Sequence, residues 1–126
     1  MEFEFDDDKP IYKQLVDKLK LEIVLGHFKS GDKLPSVREL STMICVNPNT
    51  IQRSLAELED EHLIYTKRTS GKFVTEDVDI IHQVKQELAK DKIDTFVSDM
   101  EILGFKTEDI VKLLKERKNK NEIGWV

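Results

Sequence analysis

Apolar residues return every three or four positions through most of the chain, and that rhythm predicts five helices. Ile11, Leu15, Leu19 and Ile23 form the inner stripe of the first, which starts near Pro10 with Asp8 as its cap. Gly26 stands where a left-handed residue would end it. Val37, Leu40 and Ile44 mark a short second helix, and Ile51, Leu55 and Leu58 a third. From Val78 to Leu103 no proline or glycine interrupts the chain. Ile81, Val84 and Leu88 continue to Ile93, Phe96, Met100 and Leu103, spaced three and four with one skip after Leu88, until Gly104. Ile110, Leu113 and Leu114 give a last helix its apolar side, with Thr107 as cap and Glu108 and Asp109 at its positive end. Between the third and fourth helices the pattern changes. Leu63 to Arg68 and Lys72 to Thr75 flank Thr69-Ser70-Gly71, the signature of a hairpin whose glycine takes a positive φ. Lys33-Leu34 add a short strand.

Local signals fix how these elements follow one another. Ser36 and Glu39 are spaced as a capping box, in which each side chain satisfies a free amide of the first turn. Asn47-Pro48 is a second cap-and-proline start. The turn Cys45-Val46-Asn47 between the two helices is short enough for a helix-turn-helix, and a hairpin following it is a wing. At 100° per residue, Ile51, Leu55 and Leu58 fall on one narrow stripe. Arg53 projects almost opposite, with Asn49 and Ala56 beside it and Gln52 on the flank. Asn, Gln and Arg side chains are the ones that form bidentate hydrogen bonds with base edges in the major groove of DNA.

Composition sharpens this picture. The 126 residues suffice for one domain or for a small domain with an appendage. No run of 18 apolar residues exists, so no membrane span is expected, and the acidic N-terminus lacks the apolar core of a secretory signal. A single cysteine excludes an internal disulfide and fits a reducing cytoplasm. Beside apolar neighbours, Cys45 is expected to be a small buried hydrophobe. The net charge of −5 runs against nucleic-acid binding until it is divided. Residues 1–8 carry five acids and no base, residues 9–75 eleven bases against eight acids, and residues 76–126 nine against twelve. The modest basic surplus sits on the helix-turn-helix, so phosphate binding should be salt-sensitive and limited for one domain. His27, His62 and His82 have no local cysteine or carboxylate constellation for a metal. No glycine-rich phosphate loop and no nucleophile–base grouping is visible, so neither an enzyme nor a cofactor is expected.

Ile11-Tyr12-x-Gln14-Leu15, Gly26-x-Phe28-x-x-Gly31-Asp32-x-Leu34-Pro35-Ser36-x-Arg38-Glu39-Leu40, Val46-Asn47-Pro48-Asn49-Thr50 and Gly71-x-Phe73-Val74 together resemble the winged helix-turn-helix domain of GntR-family bacterial transcription regulators. The resemblance covers roughly residues 10–75. The short two-helix remainder resembles the YtrA subfamily, whose C-terminal part is a small dimerisation unit. What this implies is a cytoplasmic, homodimeric, sequence-specific regulator, usually a repressor. By resemblance Arg38 touches DNA, the recognition helix contributes from Asn49, Thr50 and Arg53, and the wing glycine is Gly71. Two arginines common early in that helix in the family are Pro48 and Gln52 here, so base contacts are fewer or differently placed.

The expected architecture is therefore mainly α with a small β-hairpin. An acidic segment (1–9, mobile over its first eight residues) precedes a winged helix-turn-helix domain (10–76), a helical dimerisation region (77–120) and an apolar tail (121–126). DNA contacts are expected from Ser36, Arg38, Asn49, Thr50, Gln52, Arg53, Arg68, Gly71 and Lys72. Each has a plainer reading. Ser36 caps its helix in any case, Arg38 suits a surface salt bridge, Arg53 suits an i,i+4 pair with Glu57, and Arg68 and Lys72 suit solvated hairpin charges. The dimer interface is expected to use Ile81, Val84, Leu88, Ile93, Phe96, Met100, Leu103, Ile110 and Leu114; the plainer alternative there is a ligand pocket. Two such domains would read an inverted repeat with recognition helices about 34 Å apart. A winged-helix interaction module without DNA binding is the rival reading, supported by the Glu57-Glu59-Asp60-Glu61 cluster. A small-molecule effector is not indicated, though the pattern leaves room for one.

Overall fold

The computed structural model describes residues 3–122. Its order is α1 (Ile11–Val24), α2 (Val37–Ile44), α3 (Pro48–Asp60), β1 (Ile64–Lys67), β2 (Gly71–Val74), α4 (Val78–Ile102) and α5 (Thr107–Glu122). Ile123, Gly124, Trp125 and Val126 of the expected tail lie outside the described residues, and Asn121 and Glu122 still belong to α5.

The caps place the helices. Ser36 Oγ accepts the Glu39 amide at 3.1 Å, and the Glu39 carboxylate accepts the Ser36 amide at 3.2 Å, so the capping box forms in full. Asn47 Oδ1 accepts the Asn49 amide at 2.8 Å, and Pro48 is the first helical residue of α3. Cys45 ends α2 with a left-handed backbone, φ 60°. Between Ile44 and Pro48 the chain therefore has only Cys45, Val46 and Asn47 in which to turn. Ser41 stiffens this corner by donating to the Val46 carbonyl at 2.7 Å.

Helix α3 is the central element: it packs on α1, α2 and β1. Its Ile51, Leu55 and Leu58 are buried with Leu15, Leu19, Leu40, Leu63 and Ile64. These aliphatic side chains supply most of the domain's stabilisation, at about 1.5–3 kcal/mol each on full burial. Ser54, fully buried, hydrogen-bonds the Thr50 and Tyr12 carbonyls at 2.9 and 3.2 Å, which leaves its hydroxyl satisfied and ties α1 to α3. Lys20 and Glu61 add a partly buried ion pair at 2.9 Å.

The hairpin pairs Ile64 with Val74, Tyr65 with Phe73, Thr66 with Lys72 and Lys67 with Gly71. Gly71 has φ 112°, as the turn requires. The predicted strand at Lys33-Leu34 reduces to one bridge, Lys33 with Phe73, continued by the Leu34 amide on the Lys72 carbonyl at 2.8 Å.

Several local expectations change. Ile11 is 46% exposed and Val16 takes its place in the core. Repeats of four residues drift by about 40° per step on a helix, so a stripe four residues apart turns out of the interface. Pro10 occupies the cap of α1 without a side-chain bond, so Asp8 is not the cap. Residues of the acidic segment make contacts with α1. The Gln14 amide side chain accepts from the Asp6 amide at 2.8 Å and donates to the Asp6 and Lys9 carbonyls at 2.9 and 3.0 Å, and Lys18 lies over the rings of Phe3 and Phe5. Thr107 is the first residue of α5 rather than its cap. The Asp109 carboxylate accepts the Lys106 amide at 2.9 Å instead. Cys45 is exposed, not buried.

The chain divides into two compact units, Met1–Gln86 and Glu87–Val126. Val84 is buried in the first unit and Ile110 in the second. Among the described residues no helix is long and apolar enough to cross a membrane.

Candidate nucleic-acid interface

The outer face of α3 is polar because its inner face is not. Asn49, Gln52, Arg53 and Ala56 are exposed, while Ile51, Ser54, Leu55 and Leu58 are buried. Among the described residues the side chains of Asn49 and Gln52 have no hydrogen-bond partner, and Arg53 makes no ion pair with Glu57. The Arg53 guanidinium instead lies over the ring of Tyr12, its central carbon 3.6 Å from the centroid, a separation too short for an edge-on approach. This contact uses the π-face of the guanidinium and leaves its in-plane N–H groups free to donate.

Helix α2 contributes its first turn. Arg38 is exposed and, among the described residues, forms no ion pair, so the salt-bridge alternative is not realised. The Glu39 carboxylate already sits at the helix start beside Ser36, where an approaching phosphate would otherwise meet free amides. Thr50 is half-buried, and its carbonyl accepts from Ser54.

The wing has two unlike faces. Toward the core lie Ile64 and Val74 and, nearer the tip, Thr66 and Lys72. Lys72 Nζ donates to Thr66 Oγ1 at 2.9 Å and stands 3.5 Å from Glu59 Oε1 on α3. Glu59 also accepts from the Thr66 hydroxyl, and that bond, more than the charge of Lys72, holds its carboxyl below the usual 4.5 against the opposing push of burial. Lys72 is thus turned back toward α3, whereas Arg68 at the tip is exposed and, among the described residues, unpaired.

The outer face stacks Tyr65 on Phe73, ring centroids 5.8 Å apart. Lys67 Nζ lies 4.6 Å from the Phe73 centroid, and a Cβ at Gly71 would stand 3.2 Å from Lys33 Cε. Tyr12, Lys33 and Lys67 are the neighbours of this surface that periodicity did not single out. A signal for Lys67 existed: period two along β1 places it on the face of Tyr65. Among the described residues no group of three or more His, Cys, Asp or Glu is arranged to hold a metal ion.

Residues 11–74 match the family of bacterial regulatory proteins known as gntR. The HTH-type transcriptional regulator YhcF of Bacillus subtilis is 37% identical over 115 residues, covering 91% of this chain and 95% of its own. The transcriptional repressor YtrA of the same organism is 36% identical, covering 85% and 83%. A GntR family transcriptional regulator from Listeria monocytogenes superposes with a TM-score of 0.80 at 50% identity, over 89% of this chain and 98% of its own. These relatives match through the C-terminal helices as well as the winged domain. With the exposed polar face of α3 and the basic wing, they make this chain a DNA-binding transcriptional regulator belonging to the GntR family.

Proposed function

We propose that the chain represses transcription as a homodimer, each copy reading one half of an inverted-repeat operator. The observation that carries this reading is the outer face of α3, where Asn49, Gln52 and Arg53 stand exposed over a buried aliphatic ridge. Their donors and acceptors match the edges of adenine and guanine. Arg38 and the wing tip at Arg68 and Gly71 set the register through the backbone. Bound this way, the protein keeps polymerase off an overlapping promoter; that its relative YtrA is a repressor supports the same sign.

Dimerisation is supported by apolar surface that the single chain leaves uncovered. Ile93 and Phe96 on α4, Leu103 just past its end and Leu114 on α5 are all at least 40% exposed. Leu88 and Met100 are half-buried, and Ile81 is half-buried in the winged unit. Val84 and Ile110 are already covered within the chain, so a partner gains little from them. Two modest half-site grips joined by a fixed link add, which offsets the small basic surplus of each domain.

A mobility-shift titration and footprint on the region upstream of its own gene tests the reading. Arg53→Ala should cost about 1–3 kcal/mol on the protected site and leave unrelated DNA almost unaffected. Equal loss on both duplexes contradicts base readout.

A further inference from the structure

Arg53 is the longest side chain on the reading face, with the most rotors, and its far end has a contact. Its guanidinium carbon lies 3.6 Å from the Tyr12 ring centroid, the separation of a stacked pair rather than of a chance approach. The backbone that carries the ring is itself anchored. The Tyr12 carbonyl accepts from the fully buried hydroxyl of Ser54, the residue following Arg53 on α3, at 3.2 Å. Ser54 also bonds the Thr50 carbonyl at 2.9 Å, so one hydroxyl ties the backbone of Tyr12 to the recognition helix one position from the arginine. Leu15 and Leu19 of the same helix are buried and hold α1 in place.

We infer that Tyr12, which is outside the recognition helix, is a positioning residue for base readout: it holds the Arg53 guanidinium in one plane before DNA arrives. The inference rests on the assignment of Arg53 as a base reader. A freely rotating arginine loses several rotors on binding, and a stacked one has already lost them. The stack covers the π-face and leaves the N–H edge, which bonds a guanine, unobstructed. Among the described residues no carboxylate competes for that edge. The phenol oxygen has no part in the contact; the ring alone does the positioning.

The test is a double-mutant cycle on a duplex selected by the wild-type protein from a random library, with an unrelated duplex of equal length as control. Tyr12→Ala should weaken the selected duplex about two- to five-fold, the range of an exposed cation–π contact, and leave the control unchanged. Tyr12→Phe should bind like wild type. In an Arg53→Ala background, Tyr12→Ala should have no further effect. Loss of affinity in Tyr12→Phe, an additive loss in the double variant, or equal loss on both duplexes overturns the positioning role, because a merely structural residue behaves in those ways. An Arg53→Ala variant that binds both duplexes like wild type overturns the base-reader assignment, and this inference with it. A loss in Arg53→Ala without coupling to Tyr12 overturns the inference alone.

Discussion

Lys72 of the wing and Glu59 of the recognition helix face each other at 3.5 Å, with the Thr66 hydroxyl bonded to both. This three-residue tie joins β1, β2 and the last turns of α3, and so couples the wing's position to the helix that reads the groove. It draws Lys72 toward α3, whereas Arg68 at the tip stays exposed. Arg68→Ala should lower the slope of log affinity against log salt by about one on any duplex, as loss of one phosphate contact does. Lys72→Ala should change that slope less. A titration between 50 and 200 mM salt, about the span over which such contacts are felt, separates the two.

Because Glu59 titrates below 4.5 in the folded protein, its charge stabilises the fold above that value, and the contribution disappears as pH falls further. The group is partly exposed, so water screens the effect and keeps it small. Wild type should melt slightly above Glu59→Gln at pH 6 and 7, with the gap closing as the solution is acidified below 4.5. A gap that persists unchanged into acid means the carboxylate contributes through packing, not charge.

Cys45 should be replaceable with profit. Its φ of 60° is a conformation that costs a non-glycine residue about 1–2 kcal/mol, and its exposed side chain makes only a weak Sγ contact to the Thr42 carbonyl at 3.8 Å. Cys45→Gly meets the demand of a left-handed helix end and should raise stability by about 0.5–1 kcal/mol, net of glycine's greater freedom when unfolded. Denaturant unfolding measures this directly. Lower stability in the glycine variant would mean that the thiol's contacts outweigh the backbone strain.

The sequence was most legible where structure is set by residues a few positions apart. The Ser36–Glu39 box, the Asn47-Pro48 start, the positive φ of Gly71 and the buried stripe of α3 all depend on short-range chemistry. The same is true of the exposed triad Asn49, Gln52 and Arg53. Tertiary partners were not legible. Gln14 finds Asp6 eight residues away, and Tyr12 finds Arg53 across two helices, with no periodic signature in either case. At Cys45 the usual preference of cysteine for burial yields to the backbone geometry of a helix end. The strand position of Lys72 beside the tip was legible, but its reach to Thr66 and Glu59 is a tertiary contact that no local pattern encodes.

Phe96 is a large aromatic probe of dimerisation that the single chain leaves partly uncovered. The residue is 40% exposed, whereas Met100 is half-buried and Val84 is buried, so charge at either of the latter disturbs the chain's own packing more. Phe96→Glu would put a carboxylate where the proposed interface excludes water, at a cost of several kcal/mol if no partner group reaches it. The variant should sediment as a monomer with an unchanged circular dichroism spectrum. It should also bind the full operator no better than a half-site, since the two grips would no longer be linked. A Phe96→Glu protein that stays dimeric at micromolar concentration moves the interface off this stripe, and its neighbour Ile93 on α4 moves with it.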